Sequence, residues 1–141
     1  MIDKKYIAEI VEDHIAGTDL FLVDIRVSAA SKITVLFDRK SSGITVDDCA
    51  RLSKHIESRL DRDNEDFELQ VSSPGLEMPF LVLQQYEKNQ GKKVEVIDIE
   101  GKRHTGILKN VTEGGFELES EGDSSFNFDQ VKTVKTVIAF K

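Results

Sequence analysis

Four groups of residues in this sequence could do chemistry if the fold placed them suitably: Ser72 and Ser73 before Pro74-Gly75, Cys49 with His55, the adjacent acids Asp47 and Asp48, and the basic pairs Lys92-Lys93 and Lys102-Arg103. A serine at a strand end could act as a hydrolase nucleophile. That elbow needs glycine on both sides of the serine and a helix after it, whereas Pro74-Gly75 makes a turn. The serine hydroxyls of such a turn can satisfy loop backbone groups instead. Cys49 and His55 fall on different sides of a helix at their spacing. Adjacent acids on a helix do not face each other, so Asp47 and Asp48 are poor paired carboxylates. They read better as a helix start, with Thr45 as N-cap, Asp48 at the capping-box position and both acids at the positive helix terminus. One cysteine with the dispersed His14, His55 and His104 gives no zinc spacing, and no Walker loop, GxGxxG or HExxH occurs. Neither catalysis, a metal nor a cofactor is expected. The four basic residues could contact phosphates, although lysines at strand ends also serve as edge protection.

The elements that must carry these residues follow from periodicity. Ile7, Ile10, Val11 and Ile15 recur at helical spacing between Asp3, a candidate N-cap, and Gly17. Leu20 to Val27 alternates, with Phe21, Val23, Ile25 and Val27 on one face and Asp24 and Arg26 on the other. Ser31 to Asp38 repeats the pattern with Ile33, Val35 and Phe37, which predicts a hairpin. The helix opened by Thr45 is predicted to bury Val46, Cys49, Leu52, Ser53, Ile56 and Leu60. Phe67, Leu69 and Val71 then mark a third strand ending at the serines. The order αββαβ predicts a small α+β domain, three strands covered on one face by two helices.

The only two prolines, Pro74 and Pro79, place a boundary near residue 80. Beyond it, residues 80–89 suit a short helix ended by Gly91. Five short apolar-alternating segments follow, separated by Glu100-Gly101, Glu113-Gly114-Gly115 and Gly122-Asp123, and this pattern predicts a small closed barrel. If the first hairpin is tight, Ile99 pairs with Lys102, and the two basic pairs lie about 20 Å apart at 3.3 Å per residue. Phe116, Phe126, Phe128 and Phe140 fall mostly at core-compatible positions, not on a stacking platform for bases.

The chain has 141 residues and a formal charge of −7, which disfavours simple coating of nucleic acid with positive charge. The excess is local: residues 1–80 hold 10 Lys or Arg against 16 Asp or Glu, and residues 81–141 hold 9 against 10. An acidic first domain suits a basic partner, and a nearly balanced second one leaves room for phosphate contacts. No long apolar run or signal-like start occurs, which predicts a cytoplasmic protein without membrane contact.

Three stretches together resemble the RimP family of bacterial ribosome maturation factors: Gly43 to Asp61 with its Asp-Asp-Cys helix start, Phe67 to Phe80 with the motif VSSPGL, and Gly91 to Glu119. The resemblance implies an N-terminal αββαβ domain over residues 1–80 and a C-terminal Sm-like (SH3-like) β-barrel over residues 81–141. It also implies a non-catalytic factor, expected as a monomer, that binds the immature small ribosomal subunit, with rRNA and small-subunit ribosomal proteins as partners. On this reading Lys92, Lys93, Lys102 and Arg103 are rRNA contacts, and Ser72, Ser73, Pro74 and Gly75 form the interdomain turn. A general RNA-binding module using the barrel is the alternative. Where the family usually has Leu-Asp-Arg-Pro this chain has Leu76, Glu77, Met78 and Pro79, so no role of that arginine carries over. Tyr86 stands where Phe is common and can fill the same apolar gap.

Overall fold

The computed structural model describes residues 2–60, 66–75 and 78–137. The chain divides into two compact units, Met1–Pro74 and Gly75–Lys141. The sequence places the boundary a few residues later, near residue 80. Phe80 itself donates its N–H to the Val134 carbonyl (2.7 Å) and so is hydrogen-bonded within the second unit.

In the first unit, α1 (Lys4–Ile15), β1 (Leu20–Val27), β2 (Lys32–Arg39), α2 (Val46–Arg59) and β3 (Glu68–Ser72) occur in the predicted order. Asp3 caps α1 by accepting the Lys5 N–H. The sheet order is β1-β2-β3, with β1 antiparallel and β3 parallel to β2. A parallel neighbour needs a crossover, and α2 supplies it. Ile7, Val11, Ile33, Val35, Phe37, Leu52 and Ile56 are fully buried in one core between the helices and the sheet. Truncating a large side chain so placed to alanine costs about 2 to 5 kcal/mol.

Two sequence expectations are corrected here. Leu22 pairs with Phe37 and Asp24 with Leu36, so Val23 is an extra residue in β1. Such a bulge reverses the alternation. Leu20 and Leu22 therefore pack on the helix-covered core before it, and Ile25 and Val27 after it. Phe21 and Val23 are buried but belong to neither core cluster. Val46, predicted to be buried, is 88% exposed. It is the first residue of α2, and its phase is right, but the core contacts begin one turn later, with Cys49 and Leu52.

The start of α2 is tied to the sheet. Thr45 Oγ1 accepts from the Asp48 N–H (3.0 Å) while Asp48 Oδ2 accepts from the Thr45 N–H (2.8 Å), which completes the capping box. Asp48 Oδ1 also accepts from Arg39 (3.0 Å) at the end of β2, and Arg39 pairs with Asp19 just before β1. Asp19 in turn accepts from the Ser41 hydroxyl (2.6 Å).

The second unit holds α3 (Leu83–Lys88), β4 (Lys93–Asp98), β5 (Arg103–Lys109), β6 (Gly115–Glu119), β7 (Asp123–Asn127), a 3-10 turn (Phe128–Gln130) and β8 (Val131–Thr136). Its sheet is antiparallel in the order β7-β6-β5-β4-β8. The chain thus leaves one edge and reaches the other through three residues, Phe128 to Gln130. A flat row of five strands would be roughly 19 Å wide, whereas the four steps from Asn127 to Val131 reach at most about 14 Å. The sheet must therefore be rolled. It is not the closed barrel expected from the sequence: among the described residues no ladder joins β7 to β8. The short turn brings the two edges near each other without giving them a paired register. Where β6 begins, Gly115 lies so close to β7 that a Cβ there would collide with the Phe126 carbonyl. Inside the roll, Val94, Val96, Leu108, Phe116, Leu118 and Val134 form the core.

Arg39 generates a prediction with a definite sign. The Asp48 carboxyl is held below the usual range first by the Thr45 backbone N–H and then by Arg39; that of Asp19 is lowered first by the Ser41 hydroxyl and then by Arg39. A carboxyl lowered by folding stabilises above its unfolded pKa and loses that contribution as the pH falls through its folded value. Arg39→Met should therefore unfold at lower denaturant than the parent at pH 7, with the difference shrinking below pH 4. A difference independent of pH, measured by urea titration at each pH, would show that Arg39 acts through packing alone.

Candidate functional site

The structure occupies the nucleophile-like residues with structural tasks. Ser72 is the last residue of β3, and its hydroxyl donates to the Ser73 carbonyl (3.3 Å). The Met78 N–H donates to the Gly75 carbonyl (3.0 Å) just after Pro74. Asp47 pairs along the helix with Arg51 (2.8 Å), and Asp48 is the cap described above. Cys49 is half-buried against the core of the first unit, and burial first, then the Asp48 charge, pushes its thiol pKa up. A raised pKa keeps the thiol protonated and unreactive.

His55 contacts His14 instead of Cys49, with ring centroids 5.0 Å apart, and its Nε2 is 3.4 Å from Asp13 without hydrogen-bond geometry. Burial and the neighbouring His55 lower the pKa of His14. Among the described residues, no group of three His, Cys, Asp or Glu is placed to hold a metal ion.

The four basic residues lie on the β4–β5 hairpin, whose tip is shaped by Asp98. One carboxylate oxygen accepts the Glu100 and Lys102 N–H groups (2.9 Å each), and the other lies 2.8 Å from His104 Nε2. The bond to His104, then the backbone donors, hold the Asp98 carboxyl below its usual range. The ladder ends at Ile97 opposite Arg103, and Gly101 takes φ +87° in the turn. The turn is thus wider than an Ile99–Lys102 pairing would make it.

Lys93 pairs with Ile107 at the far end. The pairs do lie at opposite ends: Lys93 and Arg103 are some 14 Å apart at standard strand spacing, and Lys92 and Lys102 are farther apart. Their electrostatic states differ. Lys102 is 3.8 Å from Glu100 and Arg103 is 3.4 Å from Glu95, whereas Lys92 and Lys93 form no ion pair among the described residues.

The aromatic residues of this unit join one cluster. Tyr86 on α3 meets Phe80 (5.0 Å), Phe128 (4.9 Å) and Phe116 (5.6 Å), and Phe116 meets Phe126 (5.5 Å). Burial raises the Tyr86 pKa. Rings packed on one another in this way are not free to stack bases. Phe140 lies outside the described residues.

A family model described as the RimP N-terminal domain matches residues 10–77. Two relatives from strains of Porphyromonas gingivalis, each named ribosome maturation factor RimP, are 38% identical over 119 residues, covering 84% of this chain and 78% of theirs. The chain belongs to the RimP family. A further RimP, from Flavobacterium psychrophilum, is 33% identical over 97 residues, covering 68% of this chain and 62% of its own. The Asp-Asp-Cys segment has a local explanation: one acid pairs along the helix, the next caps it, and the cysteine fills core space.

Sequence reasoning did not single out Arg39, and it weighed His104 only as a zinc ligand and not as the partner of Asp98. Arg39 ends an alternating strand just before a loop, and only the fold shows that its neighbours are Asp19 and Asp48.

Cys49→Ala should leave binding to small subunits unchanged and cost about 1 kcal/mol of stability, somewhat more if a cavity forms. Denaturant midpoints and a subunit-binding assay check this. A variant that folds as the parent does but no longer binds would give the thiol a role that its packing does not explain.

Proposed function

We propose that this chain is a non-catalytic ribosome maturation factor that binds the immature small ribosomal subunit in the cytoplasm and leaves as assembly proceeds. The observation that carries this reading is the similarity, over 84% of this chain, to proteins named ribosome maturation factor RimP. The engagement of Ser72, Asp47, Asp48 and Cys49 in turn, cap and core supports a binding role over catalysis. Among the described residues no helix is long and apolar enough to cross a membrane.

In this reading the second unit is an Sm-like, SH3-like barrel. Support comes from the rolled five-stranded sheet, led by a short helix, whose last strand returns beside its first. Lys92, Lys93, Lys102 and Arg103 contact rRNA phosphates, and the acidic domain over residues 1–80 faces a basic small-subunit protein. Ser72 to Gly75 joins the two, so that two modest contacts on one chain gain avidity. The factor acts as a monomer. A general RNA-binding module is the weaker reading, because the aromatic rings that would stack bases are packed against each other.

Tagged protein in a lysate gradient should sediment with free small subunits, and cells lacking it should accumulate immature ones. Co-sedimentation with fully assembled ribosomes instead would contradict the proposal.

A further inference from the structure

The ladder register places cations from three neighbouring strands on one face of the second unit. Val94 and Val96 of β4, Leu108 of β5 and Val134 of β8 are fully buried inside the roll. Side chains alternate along a strand, so the residues between them point outward. These are Lys93, Glu95 and Ile97 on β4, Arg103, Thr105 and Ile107 on β5, and Thr133 and Lys135 on β8. Glu95 pairs with both Thr105 and Lys135, and Ile97 with both Arg103 and Thr133. The 3.4 Å contact of Arg103 with Glu95 confirms that these two share a face.

Lys135 lies about 8 Å from Lys93 and about 12 Å from Arg103, by strand and residue spacing. Lys93, Lys135 and Arg103 therefore surround one acid, Glu95, on a chain whose formal charge is −7. Lys93 and Lys135 form no ion pair among the described residues. Next to β5 the sign reverses: Glu117 and Glu119 on β6 pair with Lys109 and Ile107, and Lys109 is held by Glu119 (3.9 Å) and Asp123 (3.0 Å). A polyanion is thus favoured over β8 and β4 and repelled beyond β5.

We propose that this outer face of β8, β4 and β5 is the surface that takes an RNA backbone, with Lys135 as a contact residue between Lys93 and Arg103. The inference rests on the small-subunit reading above and adds a residue and a face to it. RNA is favoured over an acidic protein segment because the face offers separated cations and short polar side chains, with its half-buried isoleucines spread singly along the strands and forming no apolar groove.

The test is a triple variant, Lys93→Gln, Arg103→Gln and Lys135→Gln, in the full chain, against a charge-matched control, Lys5→Gln, Lys32→Gln and Lys54→Gln, on the first unit. Binding to an unstructured 20-nucleotide RNA is followed by fluorescence anisotropy across salt concentrations. Each lost contact removes about 0.7 from the slope of log affinity against log salt, so the face variant should lose about 2 from it and bind roughly 50-fold more weakly at 0.15 M salt. The control should change neither, and Lys135→Gln alone, the milder substitution should the triple variant fold poorly, should lose about 0.7. An unchanged slope in Lys135→Gln and the triple variant overturns the proposal. So does loss of binding to a glutamate 20-mer with RNA binding intact, which would make the face a protein contact. If the parent chain still sediments with free small subunits in either case, only this inference falls and the maturation reading stands.

Discussion

The first unit depends on how Arg39 holds the start of a crossover and ties it to the entrance of β1. A parallel β2–β3 pair cannot be joined by a tight turn, so the chain must leave β2, run back through α2 and re-enter beside the strand it left. Arg39 sits where that departure begins. It bonds Asp48 in the first turn of α2 and pairs with Asp19 at the entrance to β1, and Asp48 uses its other oxygen to cap the helix. One guanidinium thus links both neighbours of the loop that follows β2. The fork geometry of arginine suits this task, whereas lysine would present a single point charge. With the helix start fixed, Leu52 and Ile56 reach the core from above Ile33, Val35 and Phe37.

The second unit has a different constraint. Its last strand must pair with its first after a connection of three residues, which forces the sheet to roll. Rolling gives one small interior, filled by three valines, two leucines and Phe116, and an exterior on which alternate residues of neighbouring strands become a continuous surface. The Tyr86–Phe116–Phe126 chain of rings belongs to the interior. What remains outside is aliphatic, polar and charged, so the binding proposed there is electrostatic rather than by stacking.

Much of this was legible in the sequence because it follows from short-range rules. The helix caps at Asp3 and Thr45, the strand alternation in β2 and β4 and the turn at Glu100-Gly101 depend on residues within four positions of each other. The departures come from pairings that no local pattern records. Val23 looks like one more inward residue until its partner strand shows a missing position, and Val46 has the right phase but extends beyond the layer it should meet. Closure of the second sheet was expected from strand count, but the pairing stops at two edges. The basic residues were visible as sequence neighbours, whereas the grouping of Lys93 and Arg103 with Lys135 needed the β4–β8 register.

Taken with membership of the RimP family, these features describe a small factor whose effect is to favour one state of its target. A ligand shifts an equilibrium only by its differential affinity for the two states, so a maturation factor must bind the immature subunit more tightly than the finished one. The most direct measurement is the Kd of the full chain for purified immature and mature small subunits under identical salt. The account predicts at least roughly tenfold tighter binding to the immature form, equivalent to about 1.4 kcal/mol. Equal affinity for both, or tighter binding to the mature subunit, would contradict it.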